Sequence, residues 1–299
     1  MTAPAASADT RALLLPVTEP KPRSLVRRAI GSPGTVIGLV LTLLILLVAF
    51  VGPLVTPYSP TEFTGAPFSP PGEGSVFGTD NLGRDVLSRF LDGGRILIVL
   101  AALASTAGVV LGALIGVIAA YRPGWLDEVL MRVGDIALAF PQLVLALLFL
   151  SVLGPQPWLL VTLVAFGHLP RVARVVRGAA LGIVTRDFVR SAEVLGTPRG
   201  RIVVREILPN LSSTLAVELG LRLTYSIGIL AGLSFLGLGM QPPSADWGLM
   251  INENRIALTV APWAVILPVT AIAVLTVGTN LITDGLAKAA MASAEGVRA

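Results

Sequence analysis

Long uninterrupted apolar runs dominate the hydrophobic pattern of this chain. The first run, residues 36–55, contains no charged side chain. Twenty residues of α-helix rise about 30 Å, which matches the hydrocarbon core of a bilayer. Five further runs follow, at residues 96–120, 134–153, 158–176, 211–237 and 262–282. The pattern therefore predicts an all-α membrane protein with about six transmembrane helices.

Shorter elements are predicted between these spans. Residues 53–71 are rich in proline and glycine and predict an extended loop. Asp85 is placed to cap a short amphipathic helix over residues 86–91, whose apolar side chains fall on one side. The GPQP sequence at 154–157 predicts a tight hairpin. The fourth span is the least regular, because its uncharged part covers only residues 158–169.

The composition agrees with a membrane protein. Hydrophobic residues make up 54% of the 299 residues and charged residues 13%, whereas a soluble domain carries about a quarter charged residues. The sequence has no cysteine, which excludes disulfides, thiolate zinc sites and thiol nucleophiles. The sequence after the first run, AFVGPLVTPYSP, lacks a signal-peptidase pattern. We therefore expect the first span to be a retained anchor.

The basic residues predict the orientation in the membrane. With a cytoplasmic N-terminus, seventeen of the 22 Lys and Arg residues fall on cytoplasmic segments. Cytoplasmic loops carry the excess of Lys and Arg, so both termini are expected in the cytoplasm and the protein in the inner (plasma) membrane. Because the arginines border apolar runs, they indicate a protein that lies in membrane lipid and not one that binds nucleic acid. The predicted divisions are a cytoplasmic tail (1–34), a first helix with an outer segment (35–95), a core (96–290) with a cytoplasmic loop (186–210), and a C-terminal tail (291–299).

The 186–210 loop has the pattern of two short helices with a break between them. Asp187 can cap the first helix, and its apolar positions predict one face: Phe188, Ala192 and Leu195. Gly196 is placed as a C-terminal cap, and Pro198 prevents continuation. A second helix is predicted through residues 202–204. Such a projecting knob suits docking in a partner's groove, whereas the plain alternative is a basic loop beside the membrane.

The sequence disfavours two enzymatic functions. ATP hydrolysis needs a P-loop lysine, but Lys21 precedes proline and Lys288 precedes alanine, so neither lies in a GK[ST] motif. If ATP drives this protein, a partner must therefore bind it together with Mg²⁺, and no cofactor is expected on this chain. An intramembrane serine protease would need Ser234 and the single histidine, His168. Small residues around Ser234 favour helix packing instead, so we expect no catalytic residue and no metal site.

Two features within the spans leave alternatives open. Gly108, Gly112 and Gly116 lie on one helix face and allow close approach of another helix, either from a partner subunit or from this chain. Glu218 and Arg222 are spaced for an ion pair on one helix. They form either a mutually neutralised pair or part of the lining of a polar pathway through the membrane.

The 186–210 loop resembles the EAA loop of ABC importer permeases. Ser191 and Ala192 match its small positions, Gly196 its glycine, and Leu208 with Pro209 its ending. The loop departs from the pattern at Arg190, where the family has glutamate, and at Glu206, where relatives often carry His or Ile. The resemblance implies contact with an ATPase through Arg190, Ser191, Ala192, Glu193, Gly196, Leu208 and Pro209.

Three more segments narrow the resemblance. FGTDNLGRDVLSRFLDGGR (77–95), DEVLMRVGDIALAFP (127–141) and LSFLGLGMQPPSADWGLM (233–250) are similar to the C-type permease subunit of dipeptide, oligopeptide and nickel importers. Together with the loop they cover about residues 30–290. The resemblance implies a type I ABC importer permease fold, a second permease subunit, two ATPase subunits and an extracytoplasmic solute-binding protein.

Two outer segments, residues 77–95 and 241–255, mix turn residues with charged residues and are expected to help receive the binding protein. Candidate docking residues for the binding protein are Arg84, Asp85, Asp246 and Trp247. Pathway candidates are Glu218 and Arg222. The substrate, whether dipeptide, oligopeptide, nickel or another solute, is not specified by these residues. The alternative function is an ion-gradient-driven secondary transporter or channel, which the scarcity of charges within the spans disfavours.

Overall fold

The apolar runs form helices that pack side by side in a computed structural model. It describes residues 29–72 and 74–295, the last three without their side chains. Most of the predicted N-terminal tail and the end of the C-terminal tail therefore lie outside the described residues. The helices are α1 (Pro33–Val51), α2 (Val86–Tyr121), α3 (Trp125–Ala139), α4 (Gln142–Leu153), α5 (Pro157–Val184), α6 (Asp187–Val194), α7 (Arg199–Ile202), α8 (Leu208–Asn210), α9 (Ser212–Phe235), α10 (Trp247–Asn254) and α11 (Trp263–Glu295).

Five helices in the described residues are long and apolar enough to cross a membrane: α1 with the 3₁₀ turn after it, α2, α5, α9 and α11. Helices α3 and α4 form a sixth candidate that is bent by 76°. This agrees with about six spans but corrects the third, which was predicted as one helix over residues 134–153. Pro141 lies in the break, where it removes a backbone donor and cannot continue a helix.

Helix α2 corrects a second expectation. Asp85 caps it, accepting a 2.7 Å hydrogen bond from the Ser88 backbone N–H. The helix then continues for 36 residues, so the short helix over residues 86–91 is the first part of the second span and not a separate element. Gly93 and Gly94 do not break it, because both pack against the Trp247 side chain. Tertiary packing here outweighs the low helix propensity of glycine.

Successive spans alternate in direction, which sorts the connections into two ends. The end that we name the Asp85 end contains residues 55–85, 154–156 and 236–262. The opposite end, named the Tyr121 end, contains residues 122–124 and 185–211. Helices α2 and α5 both run from the Asp85 end to the Tyr121 end and lie against each other.

The glycine stripe forms the contact between α2 and α5. A Cβ added at Gly112 would lie 2.7 Å from the Val172 Cβ, and one at Gly116 would lie 2.5 Å from the Ala173 carbonyl oxygen. Both approaches are closer than carbon atoms tolerate, so only glycine fits. The glycine stripe therefore contacts a helix of this chain, which decides between the two alternatives of a partner subunit and this subunit.

Helix α11 packs against both α1 and α9 through glycine and threonine residues. A Cβ at Gly278 would lie 3.0 Å from the backbone nitrogen of Thr42 on α1. On the other side, the Thr224 hydroxyl of α9 donates a 3.0 Å hydrogen bond to Thr279. Small residues of this kind allow close helix packing where lipid provides no hydrophobic driving force.

Candidate functional site

The 186–210 segment projects at the Tyr121 end but is anchored in the core. Val189 of α6 and Ile202 of α7 are fully buried and pack in one cluster with α5 residues such as Val176. The predicted apolar face is not what anchors the segment, because Phe188 and Leu195 are exposed. Helix α6 has only eight residues and ends before Leu195, so the predicted spacing does not continue to that residue.

Gly196 ends α6 as predicted. Its φ of +73° lies in the left-handed region that favours glycine. The Gly196 N–H donates to the Glu193 carbonyl at 2.9 Å, and the Thr197 N–H donates to the Ala192 carbonyl at 3.0 Å, which is the Schellman pattern. The predicted cap by the Asp187 side chain does not form, because Asp187 is the first residue of the helix and Arg186 occupies the cap position.

The tip of the segment exposes apolar side chains. Val194 is 88% exposed and Leu195 83% exposed, directly before the Gly196 turn. The sequence prediction missed both as site residues, although two apolar residues before a glycine cap were a signal for them. Four of the predicted residues lie on the helix that leads to this tip: Arg190, Ser191 and Glu193 are exposed, and Ala192 is half-buried. Leu208 is half-buried and Pro209 exposed at the far end of the segment, in α8.

The Asp85 end holds a compact cluster of four charged side chains. Arg84 Nε lies 2.7 Å from Asp80 Oδ2, and Arg84 Nη2 lies 3.1 Å from Glu253 Oε2. Arg89 joins the same two acids, with Nη2 at 2.8 Å from Glu253 Oε2 and Nε at 3.3 Å from Asp80 Oδ2. The cluster connects the segment before α2 to α10. Charges that are buried need such partners, so these residues hold the end of the fold together.

The four predicted docking residues are inside the structure and not on its surface. Arg84, Asp85, Asp246 and Trp247 are all at most 4% exposed. The Trp247 indole N–H donates to the Phe90 carbonyl at 2.8 Å, and its ring stacks on Phe90 at 5.7 Å between centroids. This burial corrects the prediction that these side chains contact a soluble protein, because a mix of turn residues and charges does not distinguish a surface patch from a buried network.

Burial changes the pKa of Asp246, one of these four predicted docking residues. Its carboxylate accepts a 3.0 Å hydrogen bond from the Leu249 N–H and so caps α10. Removal from water raises the pKa of Asp246, while hydrogen bonds from Leu249, Ser234 and Gly248 oppose that rise. The carboxyl is thus a structural cap with a disfavoured charge.

A cavity of about 410 Å³ opens between α4, α5 and α9 near the middle of the bundle. Its polar lining includes Gln142, His168, Arg171, Arg222 and Tyr225. Arg222 forms the predicted ion pair, with Nη2 at 3.0 Å from Glu218 Oε2. The guanidinium carbon also lies 5.7 Å from the Tyr225 ring centroid. The pair is thus mutually neutralised, and its arginine borders a cavity.

His168 has a partner other than Ser234. Its Nε2 lies 2.9 Å from the Ser226 hydroxyl, and both side chains are buried. Ser234 lies two turns further along α9, where it hydrogen bonds to Asp246. His168 and Ser234, which a serine protease would need side by side, therefore do not contact each other.

Comparisons with known proteins identify the family. The family model described as binding-protein-dependent transport system inner membrane component matches residues 108–291. This chain belongs to that family. A second model, the N-terminal TM domain of oligopeptide transport permease C, matches residues 23–71. The chain is thus a transport permease and a multi-pass inner-membrane protein.

Named relatives cover most of the chain. The glutathione transport system permease protein GsiD of Pectobacterium atrosepticum is 36% identical over 82% of each chain. The dipeptide transport system permease protein DppC of Alkalihalophilus pseudofirmus is 34% identical over 84% of this chain and 83% of its own. GsiD of Escherichia coli O6:K15:H31 is 38% identical over 70% of this chain and 69% of its own.

Proposed function

We propose that this permease is one of two membrane-spanning subunits of an ATP-driven importer that takes up peptides delivered by a solute-binding protein. The relatives' names support the substrate class, since they concern dipeptides and the tripeptide glutathione. ATP and Mg²⁺ bind two partner ATPase subunits. Both termini and the Tyr121 end face the cytoplasm, and the Asp85 end faces the binding protein.

The exposed apolar tip at Val194 and Leu195 is the observation that carries this proposal. Apolar side chains that project from a solvent-exposed loop mark an interaction surface. The Schellman turn at Gly196 and the buried Val189 hold the tip in a fixed shape. A preformed shape lowers the entropy lost on binding. The tip therefore docks in a groove of the ATPase subunit.

Cysteine chemistry provides a direct test of this contact. Because the chain has no cysteine, Leu195→Cys introduces a single thiol. We expect it to cross-link to the ATPase subunit of the purified complex, and we expect the cross-link to change when ATP binds. Ser244→Cys, at the Asp85 end, is the matched control and gives no ATPase cross-link. Equal cross-linking at both positions, or none at Leu195→Cys in an intact complex, contradicts the proposal.

Uptake into proteoliposomes tests the energy source. We expect peptide accumulation that requires ATP, the binding protein and the ATPase subunits together. Accumulation driven by an ion gradient in the absence of ATP would instead indicate the alternative, a secondary transporter. In the structure, Glu218 is already paired with Arg222, which supports ATP over ion coupling.

A further inference from the structure

Arg171 is a cation at the middle of a membrane-spanning helix with no acidic partner. At 1.5 Å per residue, about 20 Å of α5 lies on either side of it. No carboxylate of the described residues lies within ion-pair distance of its guanidinium. Its Nη1 donates to the Gly167 carbonyl at 2.6 Å and to Gln142 Oε1 at 3.3 Å, both uncharged acceptors. The neighbouring Arg174 and Arg177 of the same helix are both paired with aspartates of α3.

The side chain is exposed in the single chain and borders the central cavity. An unpaired arginine that faces hydrocarbon is strongly unfavourable, so this face lines water or a polar partner and not lipid. The cavity contains a second arginine, but Glu218 neutralises Arg222 at 3.0 Å. The cavity therefore has one uncompensated positive charge, and that charge belongs to Arg171.

The rest of the lining suits a small polar ligand. Gln142 and Tyr225 supply an amide and a hydroxyl, and the volume of about 410 Å³ lies in the range of small-molecule sites. A guanidinium fork binds a carboxylate through two parallel hydrogen bonds. Gln142 accepts from Arg171 Nη1 and so orients the fork.

We propose that Arg171 and Gln142 form a transient site in the translocation pathway for the C-terminal carboxylate of the transported peptide. This inference rests on the proposed function, since it takes peptides as the cargo. Every peptide has this carboxylate whatever its side chains, so one arginine serves many sequences. The site is open on one side and carries a single guanidinium, which limits its affinity and allows release.

The experiment compares free peptides with their C-terminal amides. Proteoliposomes with the complete complex receive a mixture of di- and tripeptides of Ala, Leu and Phe, free or amidated, and uptake is followed by mass spectrometry. The binding protein's affinity for each peptide is measured separately and is the same for every permease variant. We expect Arg171→Gln to lower the uptake of free peptides roughly tenfold and to leave the uptake of amides nearly unchanged. Arg174→Gln, on the same helix but outside this cavity, retains the wild-type ratio.

A chemical variant keeps the test independent of folding. Arg171→Cys is purified once and then modified with an ethylammonium, a methyl or an ethylsulfonate methanethiosulfonate reagent. Wild-type complex, treated in parallel, reports any effect on partner subunits. We expect the ammonium adduct to restore the preference for free peptides, and the neutral and anionic adducts to leave it absent.

Each result has one meaning. An equal loss of free and amidated uptake in Arg171→Gln, with no difference between the adducts, overturns the carboxylate site and assigns Arg171 to an ion pair with the second permease subunit. Absence of ATP-dependent uptake of every free peptide by the wild-type complex overturns the proposed function itself. The two failures are therefore distinguishable.

Discussion

The Tyr121 hydroxyl donates a 2.6 Å hydrogen bond to Glu193 Oε1. Tyr121 is the last residue of α2, and Glu193 lies one residue before the apolar tip of the 186–210 segment. The bond therefore connects the proposed ATPase contact to a helix that is distant in sequence. Helix α5 reaches the same segment directly along the chain.

Removing this hydrogen bond should weaken coupling without unfolding the protein. Tyr121→Phe keeps the ring and deletes only the donor, and an exposed hydrogen bond contributes about 1 kcal/mol. We expect a several-fold lower stimulation of ATPase activity by loaded binding protein. Glu193→Gln retains an acceptor and should be milder. Unchanged stimulation in Tyr121→Phe would show that the bond has no part in coupling.

Substitutions of Gly196 should be tolerated better the more easily the new residue adopts a positive φ. Asn enters the left-handed region more easily than Ala, and β-branched residues enter it least. A Cβ at this position meets no atom within 4 Å in the chain, so we expect insertion into the membrane to be normal for Gly196→Asp. Transport should be lost, because the turn and its fit to the ATPase both change.

Gly200→Asp is the control for this prediction. Gly200 also has open space around it, but its φ lies outside the left-handed region. The Gly200→Asp substitution adds the same negative charge to the same segment as Gly196→Asp does. Equal uptake by Gly196→Asp and Gly200→Asp would mean that the turn geometry does not matter for coupling.

The α2–α5 contact should be intolerant of a single added methyl group. In Gly112→Ala the new Cβ would lie 2.7 Å from the Val172 Cβ, which forces the helices apart. Overpacking of this kind costs about 1–3 kcal/mol. We expect a lower thermal midpoint of the purified protein. Gly178→Ala on α5, where a Cβ meets nothing within 4 Å, should be neutral or slightly stabilising.

The buried charge cluster should depend on all its members. Glu253→Gln leaves the Arg89 side chain, which is fully buried, short of a carboxylate. Breaking a buried ion pair costs about 3–5 kcal/mol, because the remaining charge is uncompensated. We expect lower yields of folded protein in membranes. Arg255→Gln, two residues away and exposed, provides the control and should express normally.

Asp246→Asn should change how stability depends on pH. The folded-state pKa of Asp246 is raised by burial, so the stability that its protonated form contributes is present below the ordinary aspartate pKa and is lost as pH rises through the raised value. Asn caps a helix as well as Asp but does not ionise. Wild type should therefore lose stability relative to Asp246→Asn as pH increases from about 4 to 7. Thermal midpoints across this range provide the measurement, and a constant difference would refute the prediction.

The features that could be predicted from the sequence are those that depend on neighbouring residues, namely the apolar spans and the helix caps. Long apolar runs with few charges predicted the number of spans, and Asp85 and Gly196 were identified as caps because their residue types suit those positions. The break at Pro141 was missed, since a proline inside an apolar run is tolerated in some spans, as Pro170 is in α5. The sequence could not tell which of the outer charged residues are buried, because Arg84 is satisfied by Asp80 nearby but also by Glu253, which is far away in sequence.

The glycine stripe has a consequence for motion. With Cβ atoms absent, the backbones of α2 and α5 approach so closely that a shift bringing a larger side chain into this contact would cause a clash. We therefore expect the two helices to move together, and both reach the 186–210 segment, α2 through the Tyr121 hydrogen bond and α5 by direct continuation. A displacement of a few ångströms at the Leu195 tip would therefore be delivered to the far side of the bilayer as a tilt of the pair. The hinges must lie elsewhere, at joints that lack such close packing, such as the bend between α3 and α4.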